Sequence, residues 1–556
     1  MKKTIAMIVC LMVAMTFIFS GCGTFGNAPS GDQVLRVNNS EEPGSLHPQK
    51  AQGTHDSWVL EHCFEGLTKK TVEGKIVPGM AKKDWKISAD GLTWTFTVRD
   101  DVKWSNGDPV TAYDFEYAWK LGLDPRTQSE YAYQLYYLKG GAALNSYELK
   151  AADDKATDAD KKADDDAIKA LMDQVGVKAT DDKTLVVTLE NPTPYFDDLL
   201  TFYTYYPVDK KVAEANPNWA NEASTYVSNG PFKMTEWKHK ESIKLVKNDS
   251  YYDKAAIKLS EINFSMITEE TTVWQMYQNG EIDLAYPLPQ DVQSNLASKK
   301  DAEYVVGADL ATYFYRFNTS KKPFNNVKVR KALSMGIDRQ SIIDNVAQGG
   351  QKAAFSMVPP GIPDTSGDFQ KNTGDLYKED VTEAKKLLDE GLKEEGMDKL
   401  SFTLSYNTSE GHKKIAEAIQ EMWRKNLGVE VKLENMDFQV LIDREHKLDY
   451  DVCRAGWIGD YIDPMTFLDM WTKTSTQNDT GWSDATYDNL IKGAQTSLDN
   501  KLRMTNMHDA QKILIDNMPI MPIYFYTAPY AQKSYLKNVY KPANKYPQFQ
   551  YAYIQK

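Results

Sequence analysis

Cysteine is scarce in this chain, four among 556 residues. Cys10 sits in an apolar leader and Cys22 follows that leader directly. Only Cys63 and Cys453 remain, too few for a disulfide scaffold. Their pairing cannot be read from sequence, but their wide separation favours two buried thiols. Positive charge is also in deficit: 65 Lys and Arg against 78 Asp and Glu leave a net charge of −13, which argues against a nucleic-acid surface. Histidine numbers seven. His55 and His62 lie seven apart with no third ligand, and no pair stands at helical metal-binding spacing, so no metal site or cofactor is read. HExxH, GxSxG and the Walker loop are all missing, so the common catalytic signatures are absent. Active sites assembled from distant residues would leave no such motif; the reading is nonetheless a non-enzyme. One GxGxxG match, Gly21 to Gly26, lacks the strand–turn–helix context that gives it meaning. No short repeat of solenoid type occurs, and no segment after the leader is apolar enough to cross a membrane.

What is present begins at the N-terminus. Lys2 and Lys3 precede the almost wholly apolar run Ile5 to Phe19, which falls short of the roughly 20 residues a spanning helix needs. With the small residues that follow, residues 1–21 read as a secretory signal peptide. The run Phe19-Ser20-Gly21-Cys22 resembles the bacterial lipoprotein box, in which the Cys is lipidated and becomes the new N-terminus; Phe19 stands where Leu is usual. Ordinary cleavage with Cys22 left as a plain thiol is the alternative. Residues 22–32, rich in Gly, Ser and Pro, form a flexible tether. Two acyl chains on Cys22 suffice for a stable anchor, on the extracytoplasmic face of the cell membrane.

The mature chain is longer than one core supports, so two or three lobes are expected. Aromatic residues make up 12%, with 32 Tyr and 12 Trp, as in ligand clefts that mix apolar walls with polar tips. Carbohydrate binders would share this trait. Leu92, Trp94, Phe96 and Val98 alternate with polar residues as a half-buried strand. Thr111 and Asp114 fit a variant capping box opening a helix through Phe115, Ala118 and Trp119. Between Gly140 and Asp173 the chain is rich in Ala, Lys and Asp, a solvated helix or mobile insertion, before strand-like Thr184 to Leu189. Asp380 and Glu383 begin a helix carrying Ala384, Leu387 and Leu388. Lys399 to Asn435 reads strand, helix, strand: Leu400, Phe402 and Leu404 alternate, then Ile415, Ala418, Ile419 and Met422 form a stripe, Gly428 stops it, and Val429, Val431 and Leu433 alternate again. This is the unit of a parallel sheet, so at least one lobe is α/β.

The stretch Trp104-Ser105-Asn106-Gly107-Asp108-Pro109-Val110-Thr111-Ala112-Tyr113-Asp114-Phe115 resembles the signature of the peptide and nickel class of ABC importer solute-binding proteins. Other pieces follow in family order: Glu42 to Pro48, Phe64 to Leu67, Asn191 to Phe196, Ser228 to Phe232, Phe317 to Thr319, Val329 to Leu333, and Gly456 to Asp460. The likeness covers nearly all of the mature chain and is nearest the oligopeptide-binding proteins, chiefly around Trp457 and Asp460. It implies an α/β, periplasmic-binding-protein-like fold, bilobal with an extra inserted domain. Lobe I would hold 33–57, 207–308 and 525–556, lobe II the insertion 58–206, and lobe III 309–524.

It also implies a monomer that buries an oligopeptide between lobes and delivers it to ABC transporter permease subunits. A buried peptide needs a partner for its ammonium, its carboxylate and its main-chain groups. Asp460 matches the family's amine-binding Asp. Arg444, Arg454 and His412 are candidates for the carboxylate end, although Arg444 matches only with one extra residue before Arg454. His412 sits where a helix from Lys413 begins and would help most when protonated. Glu42 resembles an acidic residue near the ligand's N-terminal half, poised for a basic side chain or a lobe contact. Tyr131 and Trp457 should line the cleft, with Phe438 a further lining candidate. Rival readings are another solute (a dipeptide, signalling peptide, sugar or metal chelate), a secreted hydrolase, or a structural surface lipoprotein.

Overall fold

The structure, a computed structural model, describes residues 32–556 apart from 73, 152–155 and 194. The signal peptide, Cys22 and the tether up to residue 31 lie outside the described residues.

Three main sheets organise three lobes. In the first, Val34–Asn38 runs parallel to Glu261–Ser265, which pairs antiparallel with Ser242–Lys247, itself paired with Phe232–Lys238. Strand alternation buries one face: Leu35 and Val37, Ile262 and Phe264, Ile243 and Leu245. The N-terminal strand thus completes a sheet made from the middle of the chain, and the lobe is discontinuous.

The second sheet is antiparallel, in the order Lys86–Ile87, Thr93–Thr97, Thr184–Thr188, Val177–Ala179. The helix Ala112–Leu123 buries Phe115, Ala118 and Trp119. The capping box read from sequence opens it: the Thr111 N–H donates to Asp114 Oδ2 at 2.8 Å. The acidic stretch forms a helix, Asp158–Met172, with only Asp164 and Ile168 buried.

The third sheet has seven strands. Its long path runs Leu284–Ala285, Ile520–Gln532, Tyr304–Phe317, Val452–Ile458, Ser401–Asn407, Glu430–Met436. The strand–helix–strand unit is Ser401–Asn407, Glu410–Leu427 and Glu430–Met436, with Ser401 opposite Glu430 in parallel register. The helix starts three residues before Lys413, because Ser409 caps it: Ser409 Oγ accepts from the His412 N–H. Its buried stripe is Ile415, Ala416, Ile419 and Trp423, so Ala418 and Met422 sit at the flank rather than the centre. Along Tyr304–Phe317 the side chains divide by period two. Tyr313, Tyr315 and Phe317 join the helix-covered core with Trp423, while Phe314 faces the other way against Trp471 at 5.6 Å.

The sequence-read junctions at 308/309 and 524/525 fall inside Tyr304–Phe317 and Ile520–Gln532, not in loops. These two strands pair with each other and shift register between Ala308 and Thr312. A two-stranded ribbon therefore runs through the junction. Cys63 and Cys453 are separate buried thiols. Among the described residues no helix is long and apolar enough to cross a membrane.

The sequence motifs have structural reasons. Trp104 Nε1 donates to Asp114 Oδ2 at 3.3 Å and Asn106 Nδ2 to Asp209 Oδ2 at 3.0 Å, pinning the turn to the helix start and to a second segment. In Ser228-Asn229-Gly230-Pro231-Phe232, the Asn229 amide exchanges hydrogen bonds with the Glu65 main chain, and the Gly230 N–H donates to Cys63 O at 2.7 Å. A Cβ on Gly230 would stand 2.5 Å from the Cys63 carbonyl carbon, a main-chain atom that cannot step aside cheaply. Gly230→Ala should therefore destabilise the protein by about 1–3 kcal/mol, seen as a lower urea midpoint with an unchanged slope.

Candidate functional site

Between the lobes lies a cavity of about 350 Å³. The strand Val452–Ile458 supplies one wall. Along one edge it pairs over its whole length with Ala311–Phe317. Along the other, Ser401–Asn407 reaches only Val452 and Cys453. From Arg454 to Ile458 that second edge has no strand partner among the described residues, and all five residues line the cavity. An unpaired edge in a concave space is a template for one more strand.

Just past the strand end lies Asp460, 7% exposed and lining the cavity. Its main chain is fixed on both sides. The N–H donates to Thr466 Oγ1 at 3.0 Å, and the carbonyl accepts from Asn544 Nδ2 at 2.9 Å. Asp460 Oδ2 accepts from Gln134 Nε2 at 2.7 Å and from the Tyr133 hydroxyl at 3.4 Å. No Lys or Arg among the described residues forms an ion pair with it. Burial, reinforced by the charge of Asp469, pushes its carboxyl well above the usual carboxylate range. Gln134 Oε1 and Asp469 Oδ1 nearby are buried acceptors with no donor. The group is a buried anion site short of its cation.

Trp457 and Tyr131 stack beside it, ring centroids 6.3 Å apart at 18°, and both line the cavity. Trp457 Nε1 is buried without a hydrogen-bond partner. Burial and the neighbouring Asp460 raise the Tyr131 phenol far above its ordinary value, so it stays a neutral donor.

Arg454, six residues before Asp460, is on the order of 20 Å away along an extended chain. Its Nη2 donates to the Tyr526 hydroxyl at 2.7 Å and its Nη1 to Asn407 Oδ1 at 3.3 Å. The guanidinium lies over the Tyr313 ring at 4.8 Å. Its Nε is buried without a partner, and no carboxylate stands within ion-pair distance among the described residues. His412 shares the Tyr313 hydroxyl, with Nδ1 3.4 Å away. Burial and the charge of Arg454 drive its pKa well below the ordinary value, which favours the neutral ring in this structure.

Two further sequence candidates stand elsewhere. Glu42 does not line the cavity. Its Oε1 meets His239 Nδ1 at 2.7 Å and Trp237 Nε1 at 3.1 Å, and its Oε2 accepts from the Lys240 N–H. Glu41, beside it in the chain, is the residue that lines the cavity. Arg444 is also outside. It pairs with Glu434 at 2.9 Å and Asp449 at 3.1 Å, because helix Phe438–His446 turns Glu445 rather than Arg444 inward. Phe438, at the start of that helix, does line the cavity. Sequence reading missed Glu41, Glu270, Gln134 and the buried cluster in which Arg316 Nη1 bridges Glu445 at 2.7 Å and Asp479 at 2.8 Å. Only the Glu41-Glu42 doublet offered a signal.

A cleft between lobes, an open strand edge and an acidic and a basic group without ion-pair partners along it are the features of a solute-binding protein. Comparison with known proteins gives the family. The chain belongs to the bacterial extracellular solute-binding proteins, family 5, whose middle region matches residues 75–479. The oligopeptide-binding protein OppA of Bacillus subtilis strain 168 is 45% identical over 98% of this chain and 99% of its own length. The structure of Listeria monocytogenes OppA bound to peptide has a TM-score of 0.85 at 32% identity, covering 95% of this chain and 100% of its own. Escherichia coli murein tripeptide binding protein MppA, 34% identical over 95% of this chain and 99% of its own, has a TM-score of 0.84 in one structure and 0.62 in its unliganded open form.

Proposed function

We propose that this protein is the extracytoplasmic oligopeptide receptor of an ABC importer, clamping a peptide as an added strand between its lobes. The observation that carries this reading is the free edge Arg454–Ile458 running into the cation-less carboxyl of Asp460. A peptide ammonium carries three donors and a positive charge. It suits Asp460, with the orphan Gln134 Oε1 close by. The peptide carboxylate suits Arg454, whose fork lacks an anion, while neutral His412 supplies a hydrogen bond. Main-chain groups pair with the open strand edge, and roomy pockets with bridging water tolerate varied side chains. The relatives named above for oligopeptides support peptide over sugar.

Lobes I and III open and close about the ribbon formed by Tyr304–Phe317 and Ile520–Gln532. MppA supports this motion, since the present lobe arrangement matches one of its structures far better than its open form. The proposal keeps the lobe limits given from sequence, a monomer, a lipid anchor on Cys22 and release at permease subunits driven by their ATPase. No bond in the peptide is made or broken.

Asp460 also explains why an empty protein would stay open. In an open cleft its carboxyl is hydrated and titrates in the ordinary carboxylate range; in the shut cleft burial raises its pKa. The shut form therefore binds the proton more tightly. Closure without ligand is unpenalised at pH below the open-form value and increasingly penalised as pH rises above it. Small-angle scattering of peptide-free protein should show compaction as pH falls from 7 to 5, and Asp460→Asn should remove that pH dependence. Calorimetry with end-blocked peptides tests the function itself. Asp460→Asn should weaken a free-amino peptide by roughly 2–5 kcal/mol and leave its N-acetylated form little changed. Arg454→Met should do the same for free-carboxyl against amidated peptides. Equal losses for free and blocked ends would defeat the assignment.

A further inference from the structure

The loop that carries Asp460 is tied to the ribbon through a segment near the C-terminus. Where the ribbon strands Tyr304–Phe317 and Ile520–Gln532 lose register, Ala308 faces Thr527 and Thr312 faces Phe525, so Asp309, Leu310 and Ala311 stand opposite Tyr526 alone. Such a bulge takes main-chain groups out of the ladder. Residues 541–545 cross it. Lys541 Nζ meets Asp309 Oδ1 at 3.2 Å, with both side chains buried. The Leu310 N–H donates to the Ala543 carbonyl at 2.6 Å. At the far end, Lys545 is 2.7 Å from Glu61.

Leu310 also reaches the loop itself. Its carbonyl accepts from the Gly459 N–H at 2.8 Å. The next residue, Asp460, has its own carbonyl held by Asn544 Nδ2 at 2.9 Å, and Asn544 follows Ala543 in the chain. Three hydrogen bonds therefore close a ring: Leu310 to Ala543, Asn544 to Asp460, and Gly459 back to Leu310. Leu310, Asp460 and Asn544 are all buried. The loop has no slack on its other side, since a Cβ on Gly459 would lie 2.8 Å from Phe467 Cε2. Asn544 contributes the one side-chain bond in the ring; the other two run between main-chain groups. A buried carbonyl without a donor is costly, so loss of Asn544 favours rotation of the Asp460 main chain, which carries the carboxyl with it.

We propose that Asn544 is a positioning residue for peptide capture. Through the Asp460 carbonyl it sets the carboxyl at the end of the open strand edge, and through Ala543 and Leu310 it ties that setting to the bulge in the ribbon. The inference rests on the peptide reading, in which Asp460 meets the ligand's free amino end.

Calorimetric titration of tetra-alanine and N-acetyl-tetra-alanine into the full chain tests it. Asn544→Ala should weaken tetra-alanine about tenfold and the acetylated form less than about threefold. In the Asp460→Asn background the same substitution should change either peptide by less than about threefold, because the two residues act as one unit. Equal loss of both peptides, or a full separate loss on top of Asp460→Asn, would overturn the proposal. If Asp460→Asn alone leaves the ratio of the two peptides unchanged, the peptide reading fails and this inference with it. If Asp460→Asn changes that ratio and Asn544→Ala does not, only this inference fails. Should the Asn544 variant not fold, hydrogen exchange of the unaltered protein decides: the Leu310 and Gly459 amides should slow together as tetra-alanine binds, and slowing of Gly459 alone would refute the coupling.

Discussion

A buried carboxylate without a cation is the constraint on which this structure turns. Asp460 is almost fully enclosed, and removing an unpaired charge from water costs several kcal/mol. The protein lessens that cost with neutral donors from another lobe, Gln134 and Tyr133, but supplies no positive charge. On the proposed reading, a ligand that brings an ammonium offsets the remainder, and only in the shut form. Closure is thereby tied to occupancy, since a ligand shifts a two-state equilibrium only by what it binds differently in the two states.

The rest of the architecture sets up this contact. Asp460 follows a strand whose outer half has lost its neighbour, so the same backbone that positions the carboxyl also offers a ladder for an incoming chain. That strand is held in place on its other side by Tyr304–Phe317, one strand of the ribbon that continues from one lobe to the next. On the proposed hinge motion, a twist in the ribbon moves the binding wall with it. The aromatic stack of Trp457 and Tyr131 bridges the two walls beside the charge.

Much of the fold was legible. Apolar alternation and the Gly428 stop marked the strand–helix–strand unit because local periodicity and capping decide it. The long Trp104–Phe115 signature proved to be about assembly, not ligand: its Trp104, Asn106 and Asp114 tie a turn, a helix start and a distant segment together, and none lines the cavity. The site was legible only in part. Asp460, Arg454, Trp457, Tyr131, His412 and Phe438 all line the cavity, whereas Glu42 and Arg444 missed it by one residue each. Such errors arise because inward and outward positions alternate along extended chain and turn by about 100° along helix, which a motif match does not resolve. That Arg454 disfavours the protonated form of His412 was not legible, because the two residues are close only in space. The Arg316, Glu445 and Asp479 cluster joins three remote stretches, and no sequence spacing announces it.

The most direct measurement is a crystal structure of the protein with a short, unblocked peptide in the cavity. The account predicts the peptide nitrogen within about 3 Å of the Asp460 carboxyl oxygens and main-chain hydrogen bonds to the segment Arg454–Ile458. A peptide lying in reverse, with its carboxylate toward Asp460, or one bound outside the cavity would contradict it.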